Sequence, residues 1–533
     1  MRKEAKRMIW NAAFLTVSTL FMRTVGVGFQ VFLSNRAGAE VMGLFSLLGG
    51  VYGFALTLAI SGVHLGVTHL VVEAMGKNEE GRVKNIMQKA TVYALLFGTF
   101  AALLLFFLAP TIGRLWLKDE RTIDALRLMG LTLPLISLSS AFSGYFSAVR
   151  RVYKSAVTQV AEQGLKIGFT VYLLAFFFAK DAKSALLSLV IGGLLSEIFS
   201  FLIELTLYLY DRKKHFPNTA IAANEGRRLL GISLPVACST YLRAGLLTIE
   251  HILIPEGLRN SGASHASALS AYGSIQSMAL PVVLYPAALI SSFSGLLVPE
   301  FSESRVKGHT RHIEYMFGRV FSLSAAFAIG VAGVLLFSSK ELGNLLYPGT
   351  DAAYYIRLLA PLIPIMYLDT ATDAMLKGLG EQVYSMNVNI ADALLSVLLV
   401  KLLIPRLGIL GYLVTIYISE LFNTTMSLYR LLSISRAKVQ IFRWIYKPLF
   451  CILGATCIVR LILLLLPTKG DLLGVILSLS LSAFLYLVLL RFFGGFDKKD
   501  RAWLLSLFSK DEKGPAKPIC RFAEQNCSQK KFS

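Results

Sequence analysis

Apolar stretches of about 20 to 28 residues recur along the whole chain, separated by short polar segments. About 14 of them are long enough to cross a bilayer as helices, among them 11–33, 43–66, 91–109, 386–403 and 472–490. A soluble core cannot hold so many spans, because they offer no polar face to water. The pattern predicts an all-α membrane protein.

Composition sharpens this picture. Of 533 residues, 55% are hydrophobic and only 16% are charged. Soluble domains carry closer to a quarter charged residues. The first apolar run follows Arg2, Lys3, Lys6 and Arg7. It is too long for a signal-peptide core and lacks a small-x-small cleavage site, so it is expected to stay as the first span. Cys238, Cys451 and Cys457 lie in apolar runs, whereas Cys520 and Cys527 lie in the polar tail. No CxxC or Cys/His metal spacing is present, so neither a disulfide framework nor a metal is expected.

The net charge of +21 raises nucleic acid as a partner, but its distribution argues for topology instead. With the N-terminus inside, alternate loops are strongly basic. One carries Lys77, Arg82 and Lys84, another Arg150, Arg151 and Lys154, and another Arg305, Lys307 and Arg311. Roughly 36 basic residues fall inside and roughly 13 outside, the asymmetry of the positive-inside rule. An even number of spans puts both termini in the cytoplasm. The basic tail, with Lys498, Lys499 and Arg501, then faces anionic membrane lipid, and no nucleic acid is needed.

Stretches about 225 to 230 residues apart resemble each other. Tyr153 opens a span after a basic turn, and the next span carries Ser196-Glu197; Tyr384 opens a span, and the next carries Ser419-Glu420. Glu73 ends the second span before Arg82, as Glu300 ends the eighth before Arg305. Each unit holds an even number of spans, so the copies share orientation. About 14 transmembrane helices in two parallel-repeat bundles around a central cavity are expected. The expected boundaries are 1–210 for the N-terminal six-helix bundle, 211–228 for a cytoplasmic linker and 229–432 for the C-terminal six-helix bundle. Two extra helices over 433–495 and a basic tail over 496–533 follow.

Ionisable residues inside spans are costly and usually face a cavity or a partner. Arg23 lies well inside the first span and Arg243 in the corresponding region of the seventh. Their forked guanidinium groups suit a diphosphate. Local pairing is the other role, with Glu250 two turns from Arg243. Asp369, Asp373 and Lys377 are spaced by four on the tenth span, fitting either a coupling cation or an Asp373–Lys377 pair. Glu197 and Glu420 are expected to hold helices together, and Glu162 to pair with Lys166. His64 and His69 point to different sides of a helix, which excludes them as a metal pair. Gly26, Gly28, Gly49, Gly50, Gly192 and Gly193 are expected to allow close helix packing. Pro281, Pro286, Pro361 and Pro364 are expected to kink their helices. No P-loop, GxSxG, HExxH or kinase motif is present, so the chain is not expected to be an enzyme or to need a cofactor.

The run Arg23-Thr24-Val25-Gly26, then Gly43-Leu44-Phe45, then Glu73-Ala74 before a basic loop, resembles the stage V sporulation protein B group of polysaccharide transporters. That group sits with the lipid II flippases in the multidrug/oligosaccharidyl-lipid/polysaccharide exporter superfamily. The resemblance implies two bundles rocking around a cavity and moving an undecaprenyl-linked saccharide across a bacterial cell membrane. It also implies cavity arginines that engage the lipid diphosphate; Arg23 matches a family motif position, and Arg243 is inferred from the repeat. A monomer binding a lipid-linked saccharide is expected. A cation-coupled multidrug exporter and a non-transporting scaffold are the alternatives.

Overall fold

A computed structural model describes residues 2–493 apart from 78, 80, 177–181, 216–223, 436–439 and 466–471, with side chains from Leu20 onward except at 176, 213–215, 295–296 and 463–465. The basic tail with Cys520 and Cys527, and the loop carrying Lys180, lie outside the described residues. Among the described residues the structure is helical, without strands. It is a multi-pass membrane protein, with 10 helices among the described residues long and apolar enough by themselves to cross a bilayer.

Among the described residues fourteen spans emerge once kinked helices are divided and broken ones rejoined. In chain order they run 2–37, 39–76, 81–117, 121–148, Val152–Phe176 and Ala182–His215 in the first half. The second half has Glu225–Asn260, 265–306, Thr310–Leu346, 352–378, Gln382–Leu407 and Ile409–Ser435. The thirteenth, 442–465, and the fourteenth, Leu472–Phe492, follow. From Arg2 to Ile60 the first two spans are one continuous helix except at Gly38, whose φ of 84° and ψ of 164° turn the chain over. Only glycine adopts that conformation without strain.

Proline explains two other interruptions. Pro286 lacks the N–H that would continue the eighth span, and a short 3-10 turn at 360–362 contains Pro361. The kinks expected at these prolines are present. Pro281 instead lies just after a π-helical segment, and Pro364 lies in the first turn of Ile363–Gly378.

Small residues set the closest crossings. A Cβ on Gly43 would lie 2.0 Å from the Leu269 carbonyl oxygen, and one on Gly273 would lie 2.3 Å from that of Ala39. The second and eighth spans therefore meet backbone to backbone across the two halves. Gly50 packs on His251 and Gly192 on Thr170. Gly28, Gly49 and Gly193 have open space where a side chain would project, so those three do not serve close packing. The two extra spans lean on the ninth. Gly330 faces the Tyr486 ring, Gly333 faces Ile452, and the Tyr486 hydroxyl donates to the Ala326 carbonyl at 2.6 Å.

Candidate functional site

Several ionisable side chains lie near the middle of their spans. Arg243 stands at the middle of the 36-residue helix Glu225–Asn260, and Glu420 near the middle of Ile409–Ser435. Equal registers on helices of membrane length place them near the bilayer midplane.

In the second half, carboxylates from three helices lie near one another, two of them within electrostatic reach of Arg243. Asp369 accepts from the Asn423 amide at 3.3 Å, and Asp392 accepts from the Ser419 hydroxyl at 2.6 Å. The charge of Arg243 acts on both carboxylates. Glu420 lies within electrostatic reach of Asp369 and Asp392. Asp369 Oδ1 and Asn423 Oδ1 are buried without a hydrogen-bond partner among the described residues. Asp373 is satisfied differently: Lys377 pairs with it at 2.6 Å, and the Ser385 hydroxyl donates to it. Glu250 turns to Ser396, which donates to it at 2.6 Å, rather than to Arg243. The local Arg243–Glu250 pairing considered from sequence is therefore not formed.

The first half repeats the theme. Glu162 accepts from Ser200 at 3.1 Å and Glu204 from Ser155 at 3.3 Å, with Glu197 and Lys166 within electrostatic reach of Glu162. Sequence reasoning missed Asp392 and Glu204. Asp392 was findable, because it follows Tyr384 almost as Glu162 follows Tyr153.

Arg23 is exposed, and no described carboxylate forms an ion pair with it. Its neighbour Thr24 reaches the other half, with its hydroxyl 2.8 Å from that of Tyr285. Higher on the same span, Gln30 donates to the Ser277 carbonyl at 2.8 Å. The first span thus runs along the seam between the halves.

Ion pairs close both ends of that seam. At one end Arg82 donates through Nε to the fully buried Glu225 at 2.9 Å, and Arg228 donates to Glu73 at 2.6 Å. At the opposite end Lys118 donates to Glu256 at 2.9 Å, and Asp119 lies 3.2 Å from His265 Nε2. Arg259 approaches His265 Nδ1 at 2.9 Å. A guanidinium can only donate, so Nδ1 accepts and Nε2 carries the proton given to Asp119. Burial alone pushes the Asp119 carboxyl up, but hydrogen bonds from Arg121 and His265 outweigh it and hold the group below its usual range. Among the described residues no group of three His, Cys, Asp or Glu side chains is placed to hold a metal.

Residues 9–305 match the polysaccharide biosynthesis protein family. The chain belongs to this family. Stage V sporulation protein B of Bacillus subtilis (strain 168) is 27% identical over 406 residues, 74% of this chain and 78% of that protein. Lipid II flippase MurJ of the same organism is 23% identical over 435 residues, 75% of this chain and 78% of that protein. A solved structure of lipid II flippase MurJ in an inward closed conformation shares the fold, with a TM-score of 0.71 at 13% identity, covering 90% of this chain and 98% of that one. An inward-facing multidrug resistance MATE family transporter gives 0.62 at 13% identity, covering 80% and 100%.

Proposed function

We propose that this protein flips a polyprenyl-diphosphate-linked saccharide, lipid II or a related oligosaccharide lipid, across the bacterial cell membrane by alternating access, without enzymatic chemistry. The observation that carries the reading is Arg23: an exposed mid-span cation, unmatched by a described carboxylate, on the seam between two halves that ion pairs close at both ends. A charge left uncompensated at membrane depth is expensive and marks a substrate path. Arg243 is the second cation of that path, shared between substrate and the Asp369–Asp392 carboxylates. Asp369 and Asp373 are the candidates for ion coupling. Asp369, with one free oxygen beside the free oxygen of Asn423, is the better supplied for a cation, while Lys377 already compensates Asp373.

The moving units are the bundles 1–210 and 229–432 of a monomer, linked by 211–228 and surrounding a cavity. The inner ion pairs made by Glu225 and Arg228 suit a link that takes part in closure. The extra helices over 433–495 travel with the ninth span that they cover, and the tail over 496–533 rests on anionic lipid.

The deciding experiment is reconstitution of the purified protein in vesicles holding a fluorescent polyprenyl-diphosphate disaccharide, read by quenching from one side. Protein-dependent loss of sidedness supports the reading; rates equal to empty vesicles overturn it. Orientation is tested separately with a membrane-impermeant maleimide. Leu407→Cys, at the outer end of the eleventh span, is expected to react in whole cells, and Val306→Cys only after permeabilisation. The reverse pattern would invert the topology.

A further inference from the structure

The second and eighth spans are each interrupted deep in the membrane. The second breaks at Ser61 and Gly62, whose φ values of 44° and 69° are left-handed. Ser61 is fully buried, and a non-glycine residue in that conformation persists only where its surroundings hold it. A Cβ on Gly62 would lie 2.7 Å from the Ser233 carbonyl oxygen of the seventh span, so the break is also a point of close approach between halves. The eighth span breaks at Tyr285 and Pro286 and resumes at Ala287. The two breaks are separated by the repeat distance of about 225 residues.

Each break is capped from within its own bundle. Ser137 of the fourth span donates to the Ala59 carbonyl at 2.8 Å, and Tyr367 of the tenth donates to the Val283 carbonyl at 2.7 Å. Ala59 and Val283 each precede their break by two residues, and Ser137 and Tyr367 are themselves a repeat distance apart. Such caps satisfy carbonyls that have no water to turn to.

Each break is also held from the opposite bundle. Tyr241 of the seventh span donates to Ser61 Oγ at 2.5 Å. Thr24 of the first span lies 2.8 Å, hydroxyl to hydroxyl, from Tyr285 of the eighth. Thr24 is next to Arg23, and Tyr241 is two residues from Arg243. The arrangement therefore occurs twice: break and cap are related by the repeat, and each break meets a hydroxyl that lies within two residues of a mid-span arginine of the opposite bundle.

We propose that Tyr241–Ser61 and Thr24–Tyr285 are paired hydroxyl clasps that hold the bundles in the closed state, with Thr24 and Tyr241 as positioning residues that tie each hinge to the arginine beside it. This rests on the reading that Arg23 and Arg243 face the transported diphosphate. A substrate drawn onto either guanidinium strains the adjacent clasp, and one hydroxyl contact in a membrane is weak enough to yield within a transport cycle. The clasps are unequal. Release at Ser61 also relieves a left-handed backbone, whereas Tyr285 and Pro286 have helical angles and store no such strain.

The test uses the full chain with native cysteines replaced by serine, in lipid nanodiscs without substrate. Spin labels go on cysteines at the exposed inner ends Tyr210 and Tyr429, and in a second protein at the exposed outer ends Leu115 and Leu407. The closed-to-open ratio is read from the distance distributions. Tyr241→Phe is expected to lower that ratio about tenfold and Tyr285→Phe about threefold, the range for one lost hydroxyl contact. Tyr52→Phe is the control. Its hydroxyl lies 2.5 Å from Thr132 within the first bundle, so the ratio is expected to hold. An unchanged ratio in both clasp variants, or an equal shift in the control, would overturn the clasps. A wild type that fails to move the labelled lipid yet shows these shifts would retire the flippase reading alone.

Discussion

Arg23 and Arg243 differ in what surrounds them, and that difference predicts unequal variants. Arg23→Ala is expected to remove most flipping while leaving the protein inserted, because no described carboxylate pairs with it. Arg23→Lys is expected to restore only part, since the ammonium loses the bidentate fork. Arg243→Ala is expected to be milder, since Asp369 and Asp392 lie within electrostatic reach of its charge. Initial flipping rates in vesicles check all three. Asp119 sets a pH dependence of known sign. Its carboxyl is held below the usual value of 3.8 in the folded protein, so it stabilises the fold above that value and ceases to do so as pH falls through the lowered one. The melting temperature is therefore expected to respond to Asp119 only in strong acid, and Asp119→Asn to remove that response. These positions were unevenly legible. The sequence exposed Arg23, Arg243, Asp369 and Asp373 as charges inside apolar runs, whereas which of them is already compensated depended on Lys377, Asn423 and Ser385 meeting them in space.

At the scale of elements the repeat survives as charge geometry with its polarity reversed. In the first half, Arg151 and Lys154 after the fourth span pair with Asp211 at the end of the sixth, Lys154 at 2.5 Å. In the second half, Glu381 after the tenth span pairs with Arg430 at the end of the twelfth at 2.8 Å. The bridge keeps its place while the signs exchange. Reversing the second pair is therefore expected to be tolerated. Glu381→Arg or Arg430→Glu alone leaves two like charges facing each other and is expected to lower the melting temperature. The double reversal is expected to recover most of that loss, which for a partly exposed pair is about 1 kcal/mol or less. Thermal melting in detergent micelles is the measurement, and a double variant no better than the worse single one would show that the pairing is incidental.

For the whole molecule, closure at both ends of the seam implies that transport requires each end to part in turn. Cysteines placed at Lys118 and Glu256, whose side chains meet at 2.9 Å at one end of the seam, allow a short reducible cross-linker to lock that end. Flipping is expected to stop in the linked protein and to return on reduction, while labelled lipid still binds from the inner side. Full turnover with the link formed would show that the bundles need not separate there. The thirteenth and fourteenth spans lie outside this seam, against the ninth. Their position explains why the seam is built without them.

The chain by itself determined the spans, the loop-charge asymmetry and the repeat, because hydropathy, the cost of moving cations across a membrane and internal similarity are properties read along one dimension. It also marked the charges that apolar runs should not contain. Only the tertiary structure decided which of those charges stay unmatched, and only it brought Thr24 to Tyr285 and Tyr241 to Ser61 across 261 and 180 residues. The breaks show the same division. Pro286 announces itself, but the left-handed turn at Ser61 carries no comparable local signal, since Gly62 is one of 42 glycines. What fixes Ser61 is the set of hydroxyls from the third and seventh spans that surround it. Helix rotation and partner choice are settled by packing among spans distant in sequence, and no local pattern encodes them.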